Sequence, residues 1–426
     1  MDAFMLRTRT ILLLVVMVFL LTSLSAGAGL STDHALWTKA IGAQTYLEEC
    51  YSVQRTTDGG YILAGRHSLS TWGAKSNVFL VKTNANGEVQ WSKEIDPYPS
   101  FNSHSRALGV VQADDGGYVA AGWVGTANFG DEGYLVKTDS TGQVQWQHIY
   151  GNVDLGSGAD DDSFESVSRT SDGGYILAGV TEAFAQGGSL NDAWLVKVDA
   201  NGQTVWRKAY GGDSLEYAYA AIETTDGGYI LAGSTDSFGN ETRVFIQKTS
   251  SSGDQQWLTV VDLNGSSDSG DQEGRAVAQT SDSGYIIGGW YAAGSDPGAP
   301  FLLKLNSGGN EEWRTAYNLG SGNEQFSALA IAGNSGYIAV GKTNSIGHGS
   351  YDALVIATDA LGHEQWRDVY GGSDYDAAYS VQHTGAGGSI VGGKAVGLQW
   401  SGGTDMYLIR IGPVYDHALY LPLTIR

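Results

Sequence analysis

The octapeptide Asp172–Gly179, DGGYILAG, reads as a tight turn running straight into a strand. An Asp-Gly-Gly run suits the positive φ of a turn, and Tyr-Ile-Leu favours an extended, half-buried chain. The same string ends at Gly65 and Gly233, and DGGYVAAG ends at Gly122. Weaker copies, DSGYIIGG, NSGYIAVG and AGGSIVGG, end at Gly289, Gly341 and Gly393. The marker position therefore falls at Tyr61, Tyr118, Tyr175, Tyr229, Tyr285, Tyr337 and Ser389, at intervals of 52 to 57 residues. A fixed period of this size is the mark of a repeat architecture.

A second element follows each marker, a strand ending at Lys82, Lys137, Lys197, Lys248, Lys304, Ala357 and Arg410. In the first six units a Gly lies five residues further on, at Gly87, Gly142, Gly202, Gly253, Gly309 and Gly362. A Trp lies nine residues on, at Trp91, Trp146, Trp206, Trp257, Trp313 and Trp366. This spacing predicts a hairpin with Gly at its tip. One more strand, such as YSVQRT (51–56), precedes each marker. Each unit thus holds four strands in a meander, and no unit carries a helical apolar period. Seven such units predict an all-β fold, a seven-bladed β-propeller of four-stranded blades.

Unit seven lacks its own fourth strand. Tyr415 and Leu419 stand where Gly and Trp are expected, while Trp37 precedes Tyr61 by the interval that separates Trp313 from Tyr337. The N-terminal strand is therefore expected to complete the last blade and to leave no free edge.

Taken together, the unit DGGYILAG…LVKTDxxGxVxW resembles secreted bacterial and archaeal repeats that form propellers. The segment Leu135–Trp146, LVKTDSTGQVQW, is similar to the tryptophan-docking motif of pyrroloquinoline-quinone-type propellers. That resemblance implies a Trp packed between neighbouring blades. It covers about Leu36–Ile411 and specifies fold far more than function.

Composition agrees with this reading. Gly makes up 61 of 426 residues, Pro only 6, and charged residues 16%, with 11% aromatics, which excludes disorder and collagen. A net charge of −22 makes nucleic acid and anionic lipid poor partners. The lone Cys50 rules out a disulfide framework and a thiolate metal cluster, and is expected to be buried packing. Arg7 and Arg9, the apolar run Ile11–Leu21 and Ala26-Gly27-Ala28 read as a cleaved secretory signal. The expected organisation is a signal peptide at 1–28, the propeller at 33–412 and a tail at 413–426, exported as a monomer with no membrane span.

The two connections on one face vary from unit to unit and are expected to form the ligand face. Aromatics at Trp72, Phe129, Phe184, Phe238, Ile346 (aliphatic) and Trp400 recur at equivalent positions and suggest packing. Trp123, Trp290 and Tyr291 break that pattern and are the preferred ligand-binding candidates. The densest acid cluster, Asp160, Asp161 and Asp162 with Asp154 and Glu165, offers hard oxygens suited to calcium. Further acids stand at Asp268, Asp271, Glu273, Asp374 and Asp376, and loop imidazoles at His104 and His348. No catalytic motif or organic cofactor is indicated. The expected function is a non-enzymatic binding or scaffold module for an extracellular partner or polysaccharide. The alternative is a secreted hydrolase or lyase acting on an extracellular polymer.

Overall fold

The computed structural model describes residues 34–42, 46–68, 75–99, 103–126, 130–151, 161–185, 191–238, 241–265, 270–293, 296–333, 336–385, 388–397 and 403–413. The signal region 1–28 and the tail beyond residue 413 lie outside them. Among the described residues the fold is all-β, with 28 strands and no helix, and no helix is long and apolar enough to cross a membrane.

The strands group in fours. Unit one runs Leu47–Arg55, Tyr61–Ser68, Ser76–Thr83 and Val89–Ile95, each antiparallel to the one before. Units three to six are separate four-stranded sheets. Units seven, one and two are joined into a twelve-stranded sheet, where the repeat alone implies separate ones. The links are single parallel pairs, Leu47 with Thr404 and Ser76 with His104, at the start of the first strands. The first strand of every unit touches that of the next, and Ala377–His383 of unit seven touches Leu47–Arg55 of unit one. The seven groups therefore close into a ring with their first strands innermost. The core lies between units: Ile176, Ala178 and Leu195 of unit three pack on Ala218, Tyr229 and Leu231 of unit four. Cys50 is fully buried against Ile390 and Met406 where units seven and one meet, and burial pushes its thiol up to about 12.

The chain's N-terminal strand, Ala35–Ile41, pairs antiparallel with Thr404–Ile411. Trp37 stands opposite Arg410 just as Trp91 stands opposite Lys82 and Trp313 opposite Lys304. Each of these Trp rings docks on the next unit. Trp37 lies 6.2 Å from the Tyr61 ring, Trp91 5.7 Å from Tyr118, Trp206 5.5 Å from Tyr229 and Trp257 5.8 Å from Tyr285. Beneath each ring is the Gly of a hairpin tip. Gly142 has φ +82°, and a Cβ there would come within 2.9 Å of Trp91; Gly87, at φ +74°, would meet Trp37 at 2.8 Å. The tip therefore needs Gly twice over, for its backbone and for the ring stacked upon it.

On the same face, the Lys ending each third strand folds back over the Asp-Gly-Gly turn. Lys82 Nζ lies 2.8 Å from Asp58, Lys137 2.6 Å from Asp115, Lys197 2.9 Å from Asp172, Lys248 2.9 Å from Asp226 and Lys304 2.9 Å from Asp282. These five lysines are nearly inaccessible, while their carboxylates remain largely exposed. Partial burial works against ionisation of Asp58, Asp172 and Asp226. The Lys ammonium, a Thr hydroxyl and a turn N–H outweigh it and hold each at about 2.

These contacts set the expected outcomes. Trp37→Ala should lower stability by about 2–3 kcal/mol in a thermal melt, less than the ~3–5 kcal/mol of a fully buried ring because Trp37 is only half-buried. Deleting 33–40 should lower the melting of the whole ring cooperatively. Gly142→Ala should cost clearly more than Gly116→Ala, since both have φ +82° but only Gly142 meets a ring. Because the folded Asp values lie below the ordinary 3.8, their stabilisation is complete above about pH 4 and is lost as pH falls towards 2. Asp226→Asn should flatten that acid limb and cost about 1–3 kcal/mol at neutral pH by leaving the Lys248 ammonium uncompensated. Adding Lys248→Met should recover most of it.

Candidate functional site

The innermost strand of every unit carries a β-bulge at one fixed place, ten residues before the marker. The register slips between Cys50 and Ser52, Ala107 and Gly109, Phe164 and Ser166, and Ala218 and Ala220. It slips again between Gly274 and Ala276, Phe326 and Ala328, and Ala378 and Ser380. A bulge leaves one residue unpaired and re-aims its side chain. The seven residues so released are Tyr51, Leu108, Glu165, Tyr219, Arg275, Ser327 and Tyr379. All seven line a single cavity of about 280 Å³ on the ring's axis, together with Trp290, Gln325, Phe326 and Lys342. The volume is just under the ~300–1,000 Å³ of small-ligand clefts, so the space suits one small group or one sugar ring.

A second tier stands nearer the variable-loop end. It consists of cross-strand pairs from the first and second strands: Glu49 with Arg66, Arg106 with Trp123, Tyr217 with Ser234, Glu273 with Trp290, and Gln325 with Lys342. Antiparallel order puts both variable connections of each unit at this end and both short turns at the other. The strand ends from which the variable connections leave thus stand at the mouth of the channel.

The tier is rich in charge held against rings. Glu49 pairs with Arg66 at 2.5 Å and Lys394 at 2.9 Å, and accepts a hydrogen bond from the Tyr51 hydroxyl. Burial opposes the charge on Glu49, yet those two cations and the phenol hold its carboxyl down at about 2. Across the ring, Glu273 bridges Arg275 at 2.5 Å and accepts from Trp290 Nε1 at 2.8 Å. The Arg275 guanidinium lies 3.9 Å from the centre of the Tyr219 ring, which stacks on Tyr217. Lys394 sits 4.4 Å over Tyr375, and the Arg106 guanidinium 4.4 Å over Trp123 and 5.8 Å over Tyr51. Desolvation, with the neighbouring carboxylates, pushes the Tyr51 and Tyr219 phenols up, so they act as hydrogen-bond donors. Glu165 is also raised. Burial leads, Glu273 adds to it, and Arg275, Arg106 and Ser163 only partly oppose it.

Of the residues singled out in the sequence, Trp123 and Trp290 stand in this tier. Tyr291 does not join them: successive side chains of a strand point to opposite faces, and Tyr291 packs into the inter-unit core beside Phe301, 6.5 Å away. Asp161 and Asp162 do not converge with Glu165. Asp161 Oδ1 accepts from the Asp131 N–H at 3.0 Å, and the buried Asp162 accepts from the Glu182 N–H at 3.1 Å, while Glu165 turns to the axis. Asp160, Asp154 and Asp268 lie outside the described residues, as do Trp72, Phe129 and Trp400. Among the described residues no three His, Cys, Asp or Glu side chains converge on one point. Phe184 carries the Arg207 guanidinium at 3.8 Å and packs on Trp194, while Phe238 is exposed and Ile346 half-buried. Neither His104 nor His348 lines the cavity. Asp376 is a buried loop anchor, taking the Gly372 and Val396 N–H groups.

The channel residues themselves were legible by an unused signal. Offsets of −12, −10 and +5 from the marker stay constant while the residue there changes in almost every unit.

No family model matches the chain, and no curated protein does. Solved structures match at low identity over nearly the whole ring. A protein of unknown function from Dyadobacter fermentans is 11% identical, with 89% of this chain and 98% of that one covered, at a TM-score of 0.53. An ulvan lyase of polysaccharide lyase family PL25, solved bound to -[GlcA(1-4)Rha3S]-, is 11% identical over 88% and 96%, at 0.52. The WD40 domain of Neurospora crassa Pan2 is 10% identical over 88% and 94%, at 0.51. At these identities the likeness concerns the fold alone: the chain is all-β and similar to β-propellers.

Proposed function

We propose that this chain is a secreted seven-bladed propeller, its last blade completed by the N-terminal strand after loss of a signal at 1–28. It works as a non-enzymatic binding module that holds an extracellular glycan at the variable-loop mouth of its axial channel. One observation carries the reading. Seven topologically equivalent bulge residues meet around one cavity, yet they are Tyr, Leu, Glu, Tyr, Arg, Ser and Tyr. Positions with a packing role keep their residue from unit to unit, as the marker Tyr does in six of the seven. Positions that differ while sharing one space are fitted to an asymmetric occupant. Flat rings at Tyr51, Tyr219, Tyr379 and Trp290 offer faces for the C–H surface of a sugar, and the phenols offer donors to its hydroxyls.

Binding is favoured over turnover because the cavity phenols are shifted away from acting as bases and no imidazole among the described residues lines the cavity. Glu165 supports a second reading, a hydrolase or lyase. A carboxyl whose hold on its proton is strengthened by burial, beside Arg275, has the character of a general acid. The purified chain should retain oligosaccharides on a glycan array while releasing no reducing ends or unsaturated products from the same polymers. Tyr219→Ala should weaken retention at least tenfold without lowering the melting temperature by more than a few degrees. Turnover that disappears in Glu165→Gln would replace the module with the enzyme.

A further inference from the structure

Resting on that glycan reading, we infer that the channel selects an acidic sugar, one carrying a carboxylate or sulfate, through Arg106 and Lys342. The chain as a whole carries −22, yet its axis gathers five cations: Arg66, Arg106, Arg275, Lys342 and Lys394. Three of them are engaged by protein carboxylates, Arg66 and Lys394 by Glu49 and Arg275 by Glu273. The other two are not. Among the described residues Arg106 makes no hydrogen bond or ion pair, and its Nε is buried with no acceptor. Its guanidinium rests on the faces of Trp123 and Tyr51, with the Glu165 and Asp131 carboxyls near enough to feel its charge but making no hydrogen bond to it. Lys342 donates to the Tyr375 hydroxyl at 3.1 Å and otherwise faces the Tyr351 and Tyr375 rings at 5.0 and 5.6 Å.

A buried donor left without an acceptor is costly, and a cation left so more than most. Arg106 Nε is such a donor, beside the mouth of the cavity, while Lys342, which lines the cavity, donates to a neutral phenol and meets no carboxylate among the described residues. Their chemistry asks for an anion with planar or tetrahedral oxygens, which a guanidinium fork and an ammonium both read well. The rings below Arg106 hold it in place and add a face on which the sugar carrying that anion can stack. The acidic exterior is no obstacle at this range, because free charges are screened beyond about 8 Å at physiological salt.

Calorimetric titration of the full chain tests the inference with three matched probes: a neutral oligosaccharide, an oligogalacturonate and a sulfated oligosaccharide of the same length. At least one acidic probe should bind tenfold or more tightly than the neutral one, with an affinity that falls as salt rises. Arg106→Gln and Lys342→Gln should each remove about tenfold of that preference while the melting temperature stays near that of the parent. Arg106→Lys should keep part of it. Which acidic probe wins separates carboxylate from sulfate. Neutral and acidic probes binding equally would overturn the inference and leave the glycan reading standing. Failure of all three to bind would remove both.

Discussion

Six of the seven junctions between units rest on one contact, a Trp ring laid on the Gly of its neighbour's hairpin tip. The contact needs a Trp at one site, a left-handed Gly at another and a marker Tyr to close the edge. Because each ring docks on the following unit, an open row would leave one Trp without a floor and one tip without a roof. Ala35–Ile41 covers the open tip by bringing Trp37 onto Gly87 and Tyr61, while Trp366 packs on the core of unit seven, with Tyr415 at the tip position of the sequence. The buried Lys–Asp clamps on the same face lock each turn to its own third strand. Together they make a frame in which little depends on what stands at the axis.

That independence is what allows a site. The bulge takes one residue of each inner strand out of the ladder, so its side chain is spared from sheet packing. The pairs Glu49–Arg66, Arg106–Trp123 and Glu273–Trp290 sit one step further out and are likewise free of the inter-unit core. Charge follows the same division. The exterior is acidic, whereas the axis collects guanidinium and ammonium groups and holds them against aromatic faces. A strongly negative protein therefore presents a locally cationic pocket, a contrast that net charge alone conceals.

The frame was legible in the sequence because its parts recur: Asp-Gly-Gly-Tyr, the tip Gly and the Trp keep both identity and spacing, and the position of Trp37 announced the closure. The Lys–Asp clamp was equally present but unread. Unit six has Asn334 and Ala357 where the others have Asp and Lys, and unit seven has Ala386 and Arg410, so the two positions change together. Tyr291 follows Trp290 directly and so points to the opposite face of the strand, into the inter-unit core. The acids at 160–162 form one cluster in sequence, yet Asp161, Asp162 and Glu165 meet different partners. Bulges were the least visible element, since an extra unpaired residue has no preferred identity. Their trace was constancy of offset without constancy of residue.

The measurement that bears most directly on this account is a crystal structure of the chain with an acidic oligosaccharide bound. The account predicts sugar density on the axis, stacked among Tyr51, Trp123 and Trp290, with its anionic group within hydrogen-bond reach of Arg106 or Lys342. Ordered sugar on the outer loops or on the short-turn face, with the axial cavity holding only water, would contradict it.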